Sequence, residues 1–365
     1  MNRLAAHRFR VDSVPILRGL LAFGLMAGAA IPALASGSFS KTGSMNVARI
    51  SHTATLLANG EVLVAGGDSS GTAELYNPAT GTWTLTGSMT TARAYHQAVL
   101  LPSGEVLVAG GENTSGTLAS AELYNPSTGA WTATGSMITP RYRFSLTLLP
   151  DGEVLAAGGT SAELYNPSTG MWNATGSPTG SIGGENAALL QDGQVLAIDI
   201  STEAELYNPS TGNWSATGGS DVTTLNVITP VLPGGEVLVA GGFISGNRAE
   251  SAASIYDPST GQFTFENGPC QCSAFNGAVL QTGEVLVAGG TIVIPGNPYP
   301  TYQTIKSAEL WNPSTQAWTS TGNLNGSRAG ESMTVLQNGE ALIAGGSQTS
   351  KNSSGILASA ELYKP

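Results

Sequence analysis

Along the chain, short apolar runs recur between fixed polar breaks. The phrase Gly60-Glu-Val-Leu-Val-Ala-Gly-Gly67 returns at 104–111, 152–159, 235–242 and 283–290, and more loosely at 339–346. A degenerate copy, Gly193-Gln-Val-Leu-Ala-Ile-Asp-Ile200, fills the fourth place. A second phrase, Ala73-Glu-Leu-Tyr-Asn-Pro78, is repeated from Ala121, Ala162 and Ala204, with relatives from Ala253, Ala308 and Ala360. Thr-Gly-x-Trp then sets Trp83, Trp131, Trp172 and Trp214 in register, with Phe263 and Trp318 in the matching later places. Each unit reads as four short strands, in the first unit 52–57, 61–65, 73–76 and 82–85. Asn59-Gly60 marks a tight turn between the first two strands. Pro78 ends the third strand because it has no N–H to donate to a ladder.

A four-stranded sheet this small cannot bury both faces alone. Stacking the units around an axis gives each sheet two neighbours, which is the β-propeller solution; a linear solenoid is the competing one. The chain ends favour the ring. The last unit stops at Pro365 without its Trp strand, and Phe39-Ser-Lys-Thr-Gly-Ser-Met45 aligns with Trp83-Thr-Leu-Thr-Gly-Ser-Met89. A strand from the start of the propeller can therefore complete its last sheet. The expectation is an all-β fold: one seven-bladed propeller over residues 36–365, closed by an N-terminal strand. The fourth-strand aromatics are expected to fill the inter-blade space.

Composition agrees. Of 365 residues, 11% are charged, against about 25% in an ordinary domain. With 41% hydrophobic residues and 48 unperiodic glycines, the chain is neither a disordered polyelectrolyte nor collagen. A net charge of −11 excludes the broad basic surface of a general nucleic-acid binder. Residues 1–35 differ from the rest: Arg3, Arg8, Arg10 and Arg18 lead into an apolar run ending Ala33-Leu34-Ala35, the form of a secretory signal peptide. The alternative, a membrane anchor, has a short apolar run interrupted by Pro32. Removing this segment takes 4 of 14 basic and 1 of 25 acidic residues, leaving 10 and 24, a net charge of −14. The expected location is secreted or periplasmic, with no stable membrane insertion after the segment is removed.

The order double glycine, Tyr-Asn-Pro, Thr-Gly-x-Trp resembles the kelch repeat family, including secreted bacterial kelch proteins and the propeller of galactose oxidase. Family members are commonly interaction platforms, and a minority carry enzyme sites. The oxidase resemblance implies a copper ion held by two histidines and two tyrosines, one crosslinked to a cysteine. Here Tyr95-His96 matches only a dipeptide of that set, the other histidine of the exported part is His52, and Cys270 and Cys272 lie several repeats away. No complete copper site transfers, and no cofactor is expected.

Aligning the units on their Gly-Glu turn exposes two variable columns. One holds His52, His96, Phe144, Glu185, Val227, Phe275 and Glu331; three places earlier stand Arg49, Arg93, Arg141, Ile182, Thr224, Cys272 and Arg328. At the mouth of a central channel they can bind an anion, a sugar or a metal, with His52, His96, Glu185 and Glu331 as metal candidates and Arg49 and Arg93 as binding candidates. On the structural reading, the arginines pair with Glu74, Glu122, Glu163 or Glu361, each surface pair contributing about 0–1 kcal/mol. Cys270-Gln-Cys272 is open between a disulfide, free thiols and a metal or redox role. The connections between second and third strands vary most, and the longest spans 291–307. Tyr299 and Tyr302 in it, with Glu112 and Arg248 on the same face, suit a protein or glycan partner; alternatively that loop folds over its own blade. No catalytic residue is assigned. The leading expectation is an exported, non-enzymatic binding scaffold, and the rival is an extracytoplasmic carbohydrate-acting or oxidoreductase enzyme with its site at the channel mouth.

Overall fold

The computed structural model describes residues 37–199, 203–220, 227–241, 252–269, 275–294, 301–350 and 353–365. It separates Met1–Ala35 from Ser36–Pro365. The second unit holds every described strand, and residues 1–35, expected to be a signal peptide, lie outside the described residues. Among the described residues no helix is long and apolar enough to cross a membrane.

Seven four-stranded antiparallel sheets form the ring. Blade 1 runs Thr53–Leu56, Val62–Ala65, Ala73–Asn77, Thr82–Leu85 from the axis outwards. Blades 2 to 6 repeat this order, and neighbouring first strands lie side by side around the axis. Blade 7 takes Ser332–Val335, Ala341–Ala344 and Ala360–Lys364 from the chain's end and Ser38–Lys41 from its start. Phe39 pairs with Tyr363 across that join, their rings 4.9 Å apart, so the closure expected from the chain ends is made.

The core is divided among the blade interfaces. Val62 and Val64 face blade 7, packing with Leu336, Leu342 and Ala344. Leu63 and Ala65, on the other face of the same strand, pack with Val106 and Val108 of blade 2. The second strands are therefore unbroken apolar runs, since both their faces are covered. Every one of the seven interfaces, including that between blades 7 and 1, has such a cluster.

The fully buried interface ring is the third-strand tyrosine rather than the fourth-strand tryptophan. Tyr76 is 0% exposed, and its hydroxyl meets Thr42 Oγ1 of the preceding blade at 2.8 Å. Trp83 is partly exposed; it stacks on Tyr76 at 4.9 Å and donates from Nε1 to the Gly43 carbonyl at 2.8 Å. A Cβ on Gly43 would lie 2.2 Å from the Gly81 oxygen, so the stitch requires glycine after the threonine. The Thr–Tyr bond recurs from Thr86 to Tyr124 and at four further interfaces. Between blades 5 and 6 the partners change together: Glu266 stands in the threonine place, Trp311 in the tyrosine place, and Gln316, at φ 51°, where other blades have a turn glycine.

Tyr363→Ala removes a fully buried ring and its bond to Thr321, so it should cost about 3–5 kcal/mol in denaturant unfolding. Tyr363→Phe should cost only about 1 kcal/mol. Equal losses would show that the ring does not carry the closure.

Candidate functional site

The segment entering each first strand is fixed by a buried ion pair in four consecutive blades: 7, 1, 2 and 3. Arg49 Nη2 lies 3.0 Å from Glu74 Oε1, and its Nη1 donates to the carbonyls of Gly66 and Thr72. Glu74 also accepts from the backbone N–H groups of Asn46 and Val47 at 2.7 and 3.0 Å. Burial alone would raise the Glu74 carboxyl; the hydrogen bonds from Asn46, Arg49 and Val47 outweigh it and hold it below the usual range. Arg93–Glu122, Arg141–Glu163 and Arg328–Glu361 repeat the pair at 2.8–3.0 Å.

These pairs are the ones expected from the columns, but they are not at the surface. Arg49 and Arg93 are 0% and 1% exposed, so their guanidinium groups are enclosed within the blades and not offered to a ligand. Removing one partner of such a pair strands a buried charge, at about 3–5 kcal/mol, rather than the 0–1 kcal/mol of a surface pair.

Two residues beyond each clamped arginine the backbone enters the left-handed region: Ser51 (φ 55°), Tyr95 (52°), Arg143 (49°) and Gly330 (68°). The clamp accounts for this turn. The arginine side chain is held by its own blade, while its carbonyl accepts from the preceding blade's second glycine, as Gly67 N–H donates to Arg93 at 2.9 Å and Gly111 N–H to Arg141 at 2.7 Å. With both tethers fixed, the chain reverses sharply to enter the first strand. The four turned residues then link to each other. Ser51 N–H donates to Gly330, Tyr95 N–H to Ser51 and Arg143 N–H to Tyr95, at 3.4, 3.0 and 3.1 Å. They form a backbone chain along the rim of the channel.

Inside this rim is a cavity of about 520 Å³. Ser51, Tyr95 and Arg143 line one side, and Ile228, Pro230 and Phe275 contribute apolar surface. The Arg143 guanidinium stands over the Tyr95 ring, 4.5 Å from its centroid. Hydrogen bonding with the Ser51 side chain, then with the Arg143 side chain and its charge, outweighs burial and holds the Tyr95 hydroxyl below its ordinary value.

The histidine column lies just beneath the rim and both borders the cavity, through His52, His96 and Glu331, and packs against neighbouring blades. His96 Cε1 faces Gly66 of the preceding blade, as Phe144 faces Gly110 and His52 faces Gly345; a Cβ on those glycines would meet the rings at 2.6–2.7 Å. Glu331 lies in the same way against Gly289. His52 Nε2 bonds Ser332 Oγ at 2.9 Å and His96 Nε2 bonds Thr53 Oγ1 at 3.0 Å. Burial, then Arg49 or Arg93 respectively, pushes both imidazoles down to about 3, so they are neutral. Burial pushes Glu331 up to about 7, and neither of its carboxyl oxygens has a hydrogen-bond partner among the described residues.

Among the described residues no three His, Cys, Asp or Glu side chains converge as metal ligands. Glu185 lies in Ile182–Leu189, with its side chain outside the described residues, as are Arg248, Cys270, Cys272 and Tyr299. Tyr302 is 49% exposed on the hairpin Thr291–Ile294/Thr301–Thr304. That hairpin leans on blade 7 through Thr304 Oγ1 and the Thr349 backbone, rather than folding only over its own blade. Glu112 pairs through its backbone with Ala94, beside Tyr95. The columns passed over Ser51 and Arg143, which stand one place before the packing positions; the second arginine in Arg141-Tyr-Arg143 was their only signal.

The family model described as Kelch motif matches residues 93–138. No curated protein matches the chain in sequence. Among solved structures, a fungal alcohol oxidase of the AA5 family in complex with copper is similar, with TM-score 0.76 and 18% identity over 90% of this chain and 76% of that one. YjhT is similar with TM-score 0.56 and 15% identity over 87% of this chain and 95% of that one.

The buried titratable groups set a pH dependence. Neutral His96 contributes stability that is complete above its unfolded value of 6.5 and drains as pH falls towards about 3, at about 1.4 kcal/mol per pH unit. Protonated Glu331 contributes stability that is complete below 4.5 and is lost as pH rises through about 7. His96→Phe, which copies Phe144 of the next blade, should flatten the acid limb of stability against pH, and Glu331→Gln the limb between pH 4.5 and 7. Unchanged limbs in urea unfolding would exclude these groups as the cause.

Proposed function

We propose that this Kelch-motif propeller is an exported binding protein that takes a protein or carbohydrate partner at the mouth of its central channel. The observation that carries this reading is the cavity behind the rim. Its backbone is already fixed by the interblade hydrogen bonds and the buried clamps, so little ordering remains to oppose association. Polar and apolar surfaces meet in it, as suits a sugar ring or an amphipathic side chain.

The hairpins between second and third strands extend this face. Backbone bridges set them beside the segments entering the first strands, Ala94 with Glu112 and Ala329 with Ser347. Tyr302 adds exposed aromatic surface there. Export rests on the basic, then apolar, pattern of 1–35.

One feature favours binding over copper chemistry. The copper donor set implied by the oxidase resemblance is not matched among the described residues, because each histidine is engaged through Nε2 by a hydroxyl and packs against a glycine of the preceding blade. No step through copper is therefore derived for this chain.

Titration calorimetry against a panel of glycans and peptides should give saturable binding. Tyr95→Ala should weaken it at least about tenfold, a loss of about 1.4 kcal/mol, with the melting temperature unchanged. Tyr302→Ala should weaken it less. Turnover of a panel member, or full affinity in Tyr95→Ala, would overturn the proposal.

A further inference from the structure

Residues 36–365 carry six arginines and four lysines. Four of those arginines are consumed by the buried clamps. Lys364 meets Glu340 at 3.1 Å, and Lys306 donates to the Asn325 carbonyl. Arg143 is different. It is exposed, it lines the cavity, and among the described residues it has no ion-pair partner.

Its setting is built rather than incidental. The guanidinium stands over the Tyr95 ring and hydrogen-bonds with its hydroxyl, which holds the group in place; the N–H groups of the planar fork that remain can receive a planar oxyanion. The Arg141–Glu163 pair anchors the chain two residues earlier, and the Arg143 N–H is held by the Tyr95 carbonyl. A left-handed φ is costly for a non-glycine residue. Blade 7 avoids that cost with Gly330 at the same place, whereas blades 1, 2 and 3 carry Ser51, Tyr95 and Arg143. Those three side chains share one side of the cavity.

We infer, building on the binding role proposed above, that Ser51, Tyr95 and Arg143 form an anion-receiving corner, and that the ligand carries a carboxylate beside an apolar face. Arg143 takes the carboxylate, and the hydrogen-bonded Ser51–Tyr95 hydroxyl pair offers its one remaining O–H as a further donor. Ile228, Pro230 and Phe275 cover the uncharged part. A carboxylate fits better than a phosphate because one arginine neutralises one charge. The second charge of a phosphate would be left uncompensated in a propeller of net charge −14.

The test uses matched probes at pH 7: glucuronate, glucose and glucose 6-phosphate as one set, benzoate and benzamide as another. Titration calorimetry of the wild-type protein should show at least one acid bound about tenfold or more tightly than its neutral partner, and glucuronate more tightly than glucose 6-phosphate. Arg143→Gln should abolish the preference for the acid, and Arg143→Lys should keep only part of it, since lysine lacks the planar fork. Equal affinity for acid and neutral partner, no binding of either acid, or an undiminished preference in Arg143→Gln overturns the inference. Those results leave channel-mouth binding to be judged separately by the glycan and peptide panel with Tyr95→Ala.

Discussion

Each blade has two apolar faces and can cover neither by itself. Val62 and Val64 need blade 7, while Leu63 and Ala65 of the same strand need blade 2. An open stack would leave one such face bare at each end, and burial of apolar surface is the main force available to a chain with so little charge. Ring closure is what removes both ends. The strand Ser38–Lys41 in blade 7 is therefore the element on which the interfaces jointly depend, although it is short and largely exposed.

A ring held at its waist still needs its loops placed, and here the charged residues act. Buried ion pairs seldom improve on apolar packing energetically. Their value in this fold is positional: each ties an incoming segment, through both carboxylate oxygens and the guanidinium, to the blade it enters. The four clamped blades are consecutive, and each carries a left-handed residue at the rim. Blade 4 has Ile182 in the arginine place; its Glu205 accepts from the Thr179 and Gly180 backbones, and its first strand instead carries a register irregularity between Ile182 and Ala187. The channel mouth is consequently asymmetric, though the repeats that build it are nearly alike.

Much of the fold was legible because repetition reports environment. Seven copies of one apolar phrase imply seven equivalent burials, and Phe39-Ser-Lys-Thr-Gly-Ser named the missing strand by alignment alone. The Arg–Glu partnership was legible for the same reason, since both columns recur together. Its depth was not: a charged residue on a connecting segment ordinarily lies in water, and only the packing of loop over sheet encloses Arg49 and Glu74. The tryptophans do fill the outer inter-blade space as expected, but the fully buried ring beside them is the smaller tyrosine, because the third strand lies nearer the axis than the fourth.

The sequence by itself determined the strand pattern, the number of units and the manner of closure, because these follow from local periodicity and from what the two ends lack. It also marked His52, His96 and Glu331 as unusual, but it could not separate packing from chemistry at those places. The tertiary structure set each side chain against a glycine of the preceding blade, a contact between residues far apart in the chain, and at the border of the cavity. It likewise decided that Arg143 stands exposed at the cavity. Ser, Tyr and Arg have no strong preference for left-handed backbone, so the rim of Ser51, Tyr95 and Arg143 is imposed by the clamps and neighbouring blades, and nothing local in the chain announces it.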